Sequence, residues 1–173
     1  MEVQSGAEED WSDLIWGPNS SKQNIHYIHG ALHIFDAKLE IIKEQYDWNG
    51  YLLENVRARL DEGEYPIFVT SGSGDEKLEH IRHNRYLSYC YDQLSKLNGS
   101  LVTFGFNFGP YDEHIIEAIN IANHLRSKSE PKLWSVYIGA YSDADVEHIK
   151  SIEHKFHPKV YVYDAKTVNI WGQ

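Results

Sequence analysis

The sequence predicts an α/β protein built on a Rossmann-like, mainly parallel sheet of about four or five strands with helices on both faces. Three observations carry this expectation. From about residue 50 onward, short apolar runs alternate with segments whose apolar residues recur at helical spacing, which is the grammar of β-α-β units. The runs are nearly continuous in apolar character, as strands buried on both faces are. Unusual loops stand at three strand ends, "HGAL", "TSGSGDEK" and "GFNFGPYDEH", and ligands of such sheets bind outside the carboxyl ends of the strands.

In chain order, residues 1–24 are polar, acidic and broken by "GPNSSK", and read as an irregular lead-in; residues 25–173 read as one α/β domain. "NIHYIHGALHIF" alternates and reads as a strand, a turn at Gly30 and a second strand. "YLLENVRARLDEGE" carries Leu52, Leu53, Val56 and Leu60 at helical spacing and is stopped by Gly63. "YPIFV" reads as a buried strand. "DEKLEHIRHNRYLSYCYDQLSKL" reads as a helix in two pieces, broken near Asn84. "SLVTF" is the next strand, followed by the amphipathic helix "DEHIIEAINIANHLRSK", with Asp112 as its N-cap. Pro131 interrupts the pattern before the strand "LWSVYI". "SDADVEHIKSIEHKF" is a helix capped by Ser142 or Asp143, and "KVYVY" is the last strand before a short tail. "YPIFV", "SLVTF", "LWSVYI" and "KVYVY" are expected to form the core of one sheet, burying Val102, Phe104, Val136, Ile138, Val160 and Val162.

Composition narrows the function. The 173 residues fit one domain with a sizeable core. A net charge of −10 repels phosphate backbones, so nucleic acid is not an expected partner. No run of about 18 apolar residues exists to span a membrane, and the acidic "MEVQSGAEEDW" is not a signal peptide. Cys90 is the single cysteine, which excludes an intramolecular disulfide and suits a cytoplasmic location.

Three histidines fall in eight positions, His26, His29 and His33. Zinc would need three or four converging ligands. On a strand His26 and His29 point to opposite faces, and His33 lies beyond a glycine turn, so no metal is expected. His80 and His83 read as a solvated helix face. In "SGSGDEK", a glycine turn ahead of a helix can cradle a phosphate, with Lys77 able to bind an anion. Lys77 stands where a dinucleotide fingerprint would have its third glycine, and a plain strand-to-helix turn explains the segment as well. In "GFNFGPYDEH", Gly105 ends a strand, Asn107 offers both donor and acceptor, and Asp112 starts the helix.

The segments "YIHGALHIF", "YPIFVTSGSGDEKLEHIRHNRYLSYCYDQL" and "GSLVTFGFNFGPYDEHIIEAI", in this order, resemble the C-terminal part of a sirtuin-like NAD-hydrolase domain. They resemble most an uncharacterised bacterial branch of that superfamily described as a domain of unknown function. The resemblance implies that His29, followed by Gly30, is the catalytic histidine. It also implies that Gly105, Phe106 and Asn107 line the adenosine-ribose side of NAD, with Asn107 in place of the usual serine. The implied cofactor-binding set is Gly30, Ser71, Gly72, Lys77, Gly105, Asn107 and Asp112, with NAD or an ADP-ribose-like molecule as substrate or ligand. Nothing ahead of His29 matches the superfamily's N-terminal glycine-rich phosphate loop or its Asn-x-Asp segment. The expectation is therefore a partial domain, catalytically incomplete as an isolated chain: a truncated product, a fragment of a longer chain, or a protein that has lost the activity. If active, it would be an NAD N-glycosidase. The alternatives are a non-catalytic nucleotide-binding protein, or a protein-interaction module using Trp11, Trp16 and Trp48. A homodimer, or a partner chain over an open sheet edge, is the expected assembly.

Overall fold

The computed structural model describes residues 2–3, 14–17, 23–45, 51–124 and 132–169. The chain divides into two units, Met1–Ser71 with Glu79–Cys90, and Gly72–Leu78 with Tyr91–Gln173.

The first unit is built on an antiparallel sheet of β1 (Glu2–Val3), β2 (Leu14–Trp16), β3 (Gly30–Ala37), β4 (Glu40–Lys43) and β5 (Pro66–Phe68), in the order β1-β2-β4-β3-β5. β3 and β4 form a hairpin whose turn places Lys38 at φ 66°. Ile34 and Phe35 are adjacent and both fully buried, as are Ile41 and Ile42 nearly so, which means that both faces of this sheet are covered. α1 (Leu52–Asp61) packs against β3. Its Arg59 binds Glu44 and, at 2.7 Å, Glu64, and lies over the Phe35 ring. Two further helices, α2 (Gly74–His83) and α3 (Arg85–Leu94), whose residues are divided between the two units, are separated by Asn84, as the sequence predicts. The Asn84 side-chain oxygen accepts from the backbone N–H groups of Tyr86 and Leu87, so it caps α3 and ends the preceding turn. His80 and His83 are exposed. Burial raises the pKa of the Cys90 thiol, which marks it as a packing residue.

His26 and His33 belong to this unit, and both have pKa values lowered from 6.5, chiefly by desolvation. The Lys43 cation adds to the effect at His33, while a hydrogen bond to the Gln23 backbone partly opposes it at His26. Above pH 6.5 both imidazoles are neutral in the folded and unfolded chain alike. As the pH falls through 6.5, the unfolded chain takes up protons that the folded chain resists, and stability is lost until the lowered folded-state values are reached. The urea midpoint of the first unit is therefore expected to fall between pH 7 and pH 5. His33→Gln should flatten that slope, and an unchanged slope would refute the assignment.

The second unit carries β6 (Gly99–Thr103), β7 (Leu133–Ala140) and β8 (Lys159–Asp164), all parallel and in the order β6-β7-β8. α4 (Glu113–Asn123) joins β6 to β7, and α5 (Asp143–Ile152) joins β7 to β8. Parallel crossovers are right-handed almost without exception, so two that step in the same direction place both helices on one face. Val136, Ile138 and Ala140 of β7 are buried on that face, with Ile115, Ile119 and Ile149 of the helices buried too. On the other face Val102 is 63% exposed, and Tyr137 and Tyr161 stack at 4.9 Å with more than a third of each ring open.

Several expectations are corrected here. The fold is α/β, but the four core segments do not share a sheet: β5 pairs antiparallel with β3, and only the other three are parallel. Pro66 has no N–H for a ladder, which suits β5 to the edge position it takes. Among the described residues of the second unit, α4 and α5 cover one face of the parallel sheet, and Val102, Tyr137 and Tyr161 are exposed on the other. Val136 and Ile138 are buried, but Val102, Phe104 and Val162 are exposed and Val160 is half-buried. The lead-in is not wholly irregular, because Leu14–Trp16 pairs with β4 and Trp16 packs on the Tyr86 and Tyr89 rings. Trp11 and Trp48 lie outside the described residues. The strand expected before Gly30 is instead a coil and a turn closed by the Gly30 N–H to the Tyr27 carbonyl. No helix among the described residues is long and apolar enough to cross a membrane.

Candidate functional site

The loop after β6 departs from extended backbone at once. Gly105 takes φ +67°, a left-handed conformation that glycine adopts without strain, and Phe108 takes φ +51°, which costs a residue with a Cβ. The Phe108 ring offsets that cost: it is 2% exposed and meets Phe106 and Phe156 edge-on at 4.7 and 5.2 Å. Between these two left-handed residues Asn107 is held out at the carboxyl end of the strand, exposed.

Facing this loop is the start of α5. Ser142 is the N-cap, and its hydroxyl oxygen accepts from the Asp145 N–H. Asp145 returns the bond: one carboxylate oxygen, Oδ2, accepts from the N–H groups of Tyr141 and Ser142 and from the Ser142 hydroxyl at 2.9–3.0 Å. These donors hold the Asp145 carboxyl below its ordinary value of 3.8. One turn on, His148 places Nε2 at 2.8 Å from the Asn107 carbonyl. A carbonyl only accepts, so Nε2 carries the proton and donates. That bond ties α5 to the β6 loop.

Between them lies a cleft of about 490 Å³, lined by Gly105, Phe106 and Asn107 from the loop and by Tyr141, Asp145 and His148 from the end of β7 and α5. It stands at the carboxyl ends of parallel strands, where backbone groups are not consumed by the ladder and a small molecule can reach them. Gly139, which also borders it, is tightly covered: a Cβ there would lie 2.8 Å from the Tyr163 ring, whose hydroxyl donates to the Thr103 carbonyl at 2.9 Å.

The remaining residues singled out by sequence fall elsewhere. Lys77 and Asp112 form an ion pair at 2.9 Å with both side chains largely buried, and neither lines the cleft. Asp112 does stand at the N-cap of α4, but its side chain makes no capping bond because Lys77 holds it. In "SGSGDEK", the Ser73 N–H and hydroxyl are bonded by the Glu76 carboxylate, a reciprocal cap at the start of α2. The same N–H that could have met a phosphate is thus satisfied within the turn. Gly72, at φ +107°, is exposed, and Gly74 packs so closely on the start of α4 that a Cβ would lie 3.4 Å from the Glu113 N. Ser71, His29 and Gly30 belong to the first unit. There Ser71 is exposed, and His29 occupies the turn before β3, half-buried, with its carbonyl accepting from the Val69 N–H at 2.9 Å.

The structure therefore gathers Gly105 and Asn107 into one cleft and adds Tyr141, Asp145 and His148, which sequence reasoning passed over. A signal for the last two was present: Asp145 and His148 are three residues apart on a helix that begins right after a predicted strand, so both face the strand end.

No curated protein and no solved structure matches the chain. A family model does, over residues 2–171, and so spans both units and every candidate residue described above. On that near-complete match, the chain belongs to the family described as Domain of unknown function (DUF4917).

Proposed function

We propose that the cleft beside β6 and β7 binds the adenosine-ribose half of NAD or of an ADP-ribose-like ligand, and that the chain is a sirtuin-like NAD-binding domain that turns NAD over slowly or not at all by itself. The observation that carries this reading is the position of Gly105, Phe106 and Asn107 in a cleft at the carboxyl end of a parallel strand. In this reading β6, β7 and β8 with their two crossover helices are one half of a Rossmann-like arrangement. The chemistry of the lining suits a nucleoside. Phe106 and Tyr141 offer aromatic faces to a base, and Asn107 offers a donor and an acceptor to hydroxyls. About 490 Å³ falls within the range of small-molecule sites.

Binding rather than turnover is expected because nothing ahead of His29 matches the superfamily's phosphate loop or Asn-x-Asp segment, which would hold the pyrophosphate and the nicotinamide ribose. In the cleft Asp145 is anchored through Oδ2 by three donors and His148 is oriented by its Nε2–H bond to the Asn107 carbonyl, so both side chains are fixed in place to position a ligand. Cleavage of the N-glycosidic bond needs a held ribose, a polar group near the developing cation and an activated water. The resemblance, not the cleft geometry, assigns that activation to His29.

Calorimetric titration with ADP-ribose tests the reading. Asn107→Ala is expected to weaken binding about tenfold, the equivalent of one hydrogen bond of about 1–1.5 kcal/mol. A wild-type chain that does not bind ADP-ribose removes the proposal. Nicotinamide release is measured alongside, and robust release abolished by His29→Ala would show a complete enzyme instead. A second reading, a homodimeric interaction module, is favoured by the open face bearing Val102, Tyr137 and Tyr161. A monomer mass in sedimentation at all concentrations removes it.

A further inference from the structure

We infer that Asp145 is the specificity-determining residue of this cleft and makes it selective for a ribose with free hydroxyls, excluding nucleotides phosphorylated at that ribose. The inference rests on the cleft being a nucleoside site, and it concerns which nucleoside. The Asp145 carboxylate borders the cleft, and its two oxygens are used unequally. All three of its hydrogen bonds, from the Tyr141 N–H, the Ser142 N–H and the Ser142 hydroxyl, end on Oδ2. Oδ1 accepts no hydrogen bond among the described residues. One oxygen thus locks the orientation of the group, while the other keeps its lone pairs for a donor from outside.

The natural complement of a fixed, charged acceptor is a hydroxyl. A charge-assisted O–H···O⁻ bond is short and about twice as strong as a neutral one, and a ribose diol can supply it. A phosphate monoester at the same carbon supplies no such donor and adds negative charge beside a carboxylate. Among the described residues that line the cleft there is no lysine or arginine; the neighbouring Lys166 ammonium lies over the Tyr141 ring at 4.8 Å, and His148 already spends its Nε2 proton on the Asn107 carbonyl. The chain as a whole carries a net charge of −10, which adds to the repulsion.

The test is a set of calorimetric titrations of the full chain with ADP-ribose, with ADP-ribose carrying a 2′-phosphate on the adenosine ribose, and with the 2′-deoxyadenosine analogue. Wild type is expected to bind ADP-ribose at least about tenfold more tightly than the 2′-phosphate, and the 2′-deoxy analogue more weakly than the parent. Asp145→Asn keeps an oxygen for the helix cap while removing the charge. It should bring ADP-ribose and its 2′-phosphate to within about threefold of each other, with circular dichroism confirming intact helix. The wild-type comparison does not depend on any variant folding. Equal wild-type affinity for ADP-ribose and its 2′-phosphate overturns the inference, and so does a ratio that survives in Asp145→Asn, while the nucleoside reading stands. Binding of none of the three ligands overturns that reading as well.

Discussion

Replacing Gly30 with alanine is expected to destabilise the first unit by on the order of 3 kcal/mol. Two effects add. Gly30 sits at φ +76°, where a Cβ is strained in any surroundings. That Cβ would also lie 1.9 Å from the Ile67 carbonyl oxygen and 2.7 Å from its carbon, both backbone atoms of the paired strand β5. A side chain could rotate away, but a strand backbone can yield only by breaking its pairing. The hydrogen bond from the Val69 N–H to the His29 carbonyl is the first that would open. Urea denaturation read by tryptophan fluorescence, with amide exchange over β3 and β5, measures the loss. A variant with the wild-type midpoint and wild-type protection of Val69 would show the close approach to be illusory. The test also bears on the His29-Gly30 pair, because a displaced turn moves the imidazole without changing its chemistry.

Ile138→Ala should cost about 2–5 kcal/mol in the second unit, the usual range for emptying a fully buried aliphatic site. Ile138 is completely buried in the middle strand of the parallel sheet, in register between Thr103 and Val162, on the face that α4 and α5 cover. Val102→Ala is its control. Val102 lies on an edge strand of the same sheet, 63% exposed, and its loss should stay within about 0.5 kcal/mol. Equal costs at the two sites would mean that the second face is covered in solution. That result would favour the homodimer reading, and it can be cross-checked by repeating the denaturation over a tenfold range of protein concentration.

The contrast between Ile138 and Val102 marks where the sequence stops being informative. Both stand in short apolar runs bounded by polar turns, and the local pattern treats them alike. The helices were legible because their signals are local. Val56 and its neighbours recur at helical spacing before Gly63, Asn84 breaks α2 from α3, and Ser142 caps α5. The parallel strands were legible as segments for the same reason. In the site, Gly105 and Asn107 could be picked out because a left-handed glycine and an amide at a strand end are encoded within a few residues.

What local signals leave open is pairing. Nothing near "YPIFV" states that its neighbour is the strand after Gly30, running the opposite way, rather than "SLVTF". Strand partners are chosen by contacts between residues far apart in the chain, and a three-residue strand carries too little pattern to name its partner. The same holds for the charges. Asp112 reads as a helix cap and Lys77 as an anion-binding group, yet the folded chain brings them to 2.9 Å and each satisfies the other. Asp145 and His148 stand on a helix the sequence predicts, and become cleft residues because the crossover from β7 returns α5 to the end of β6. Periodicity and capping settle which segments are helices and which are strands, since those are energies of neighbours along the chain. Sheet partners, covered faces and the company each ionisable group keeps are energies of neighbours in space, and folding alone settles them.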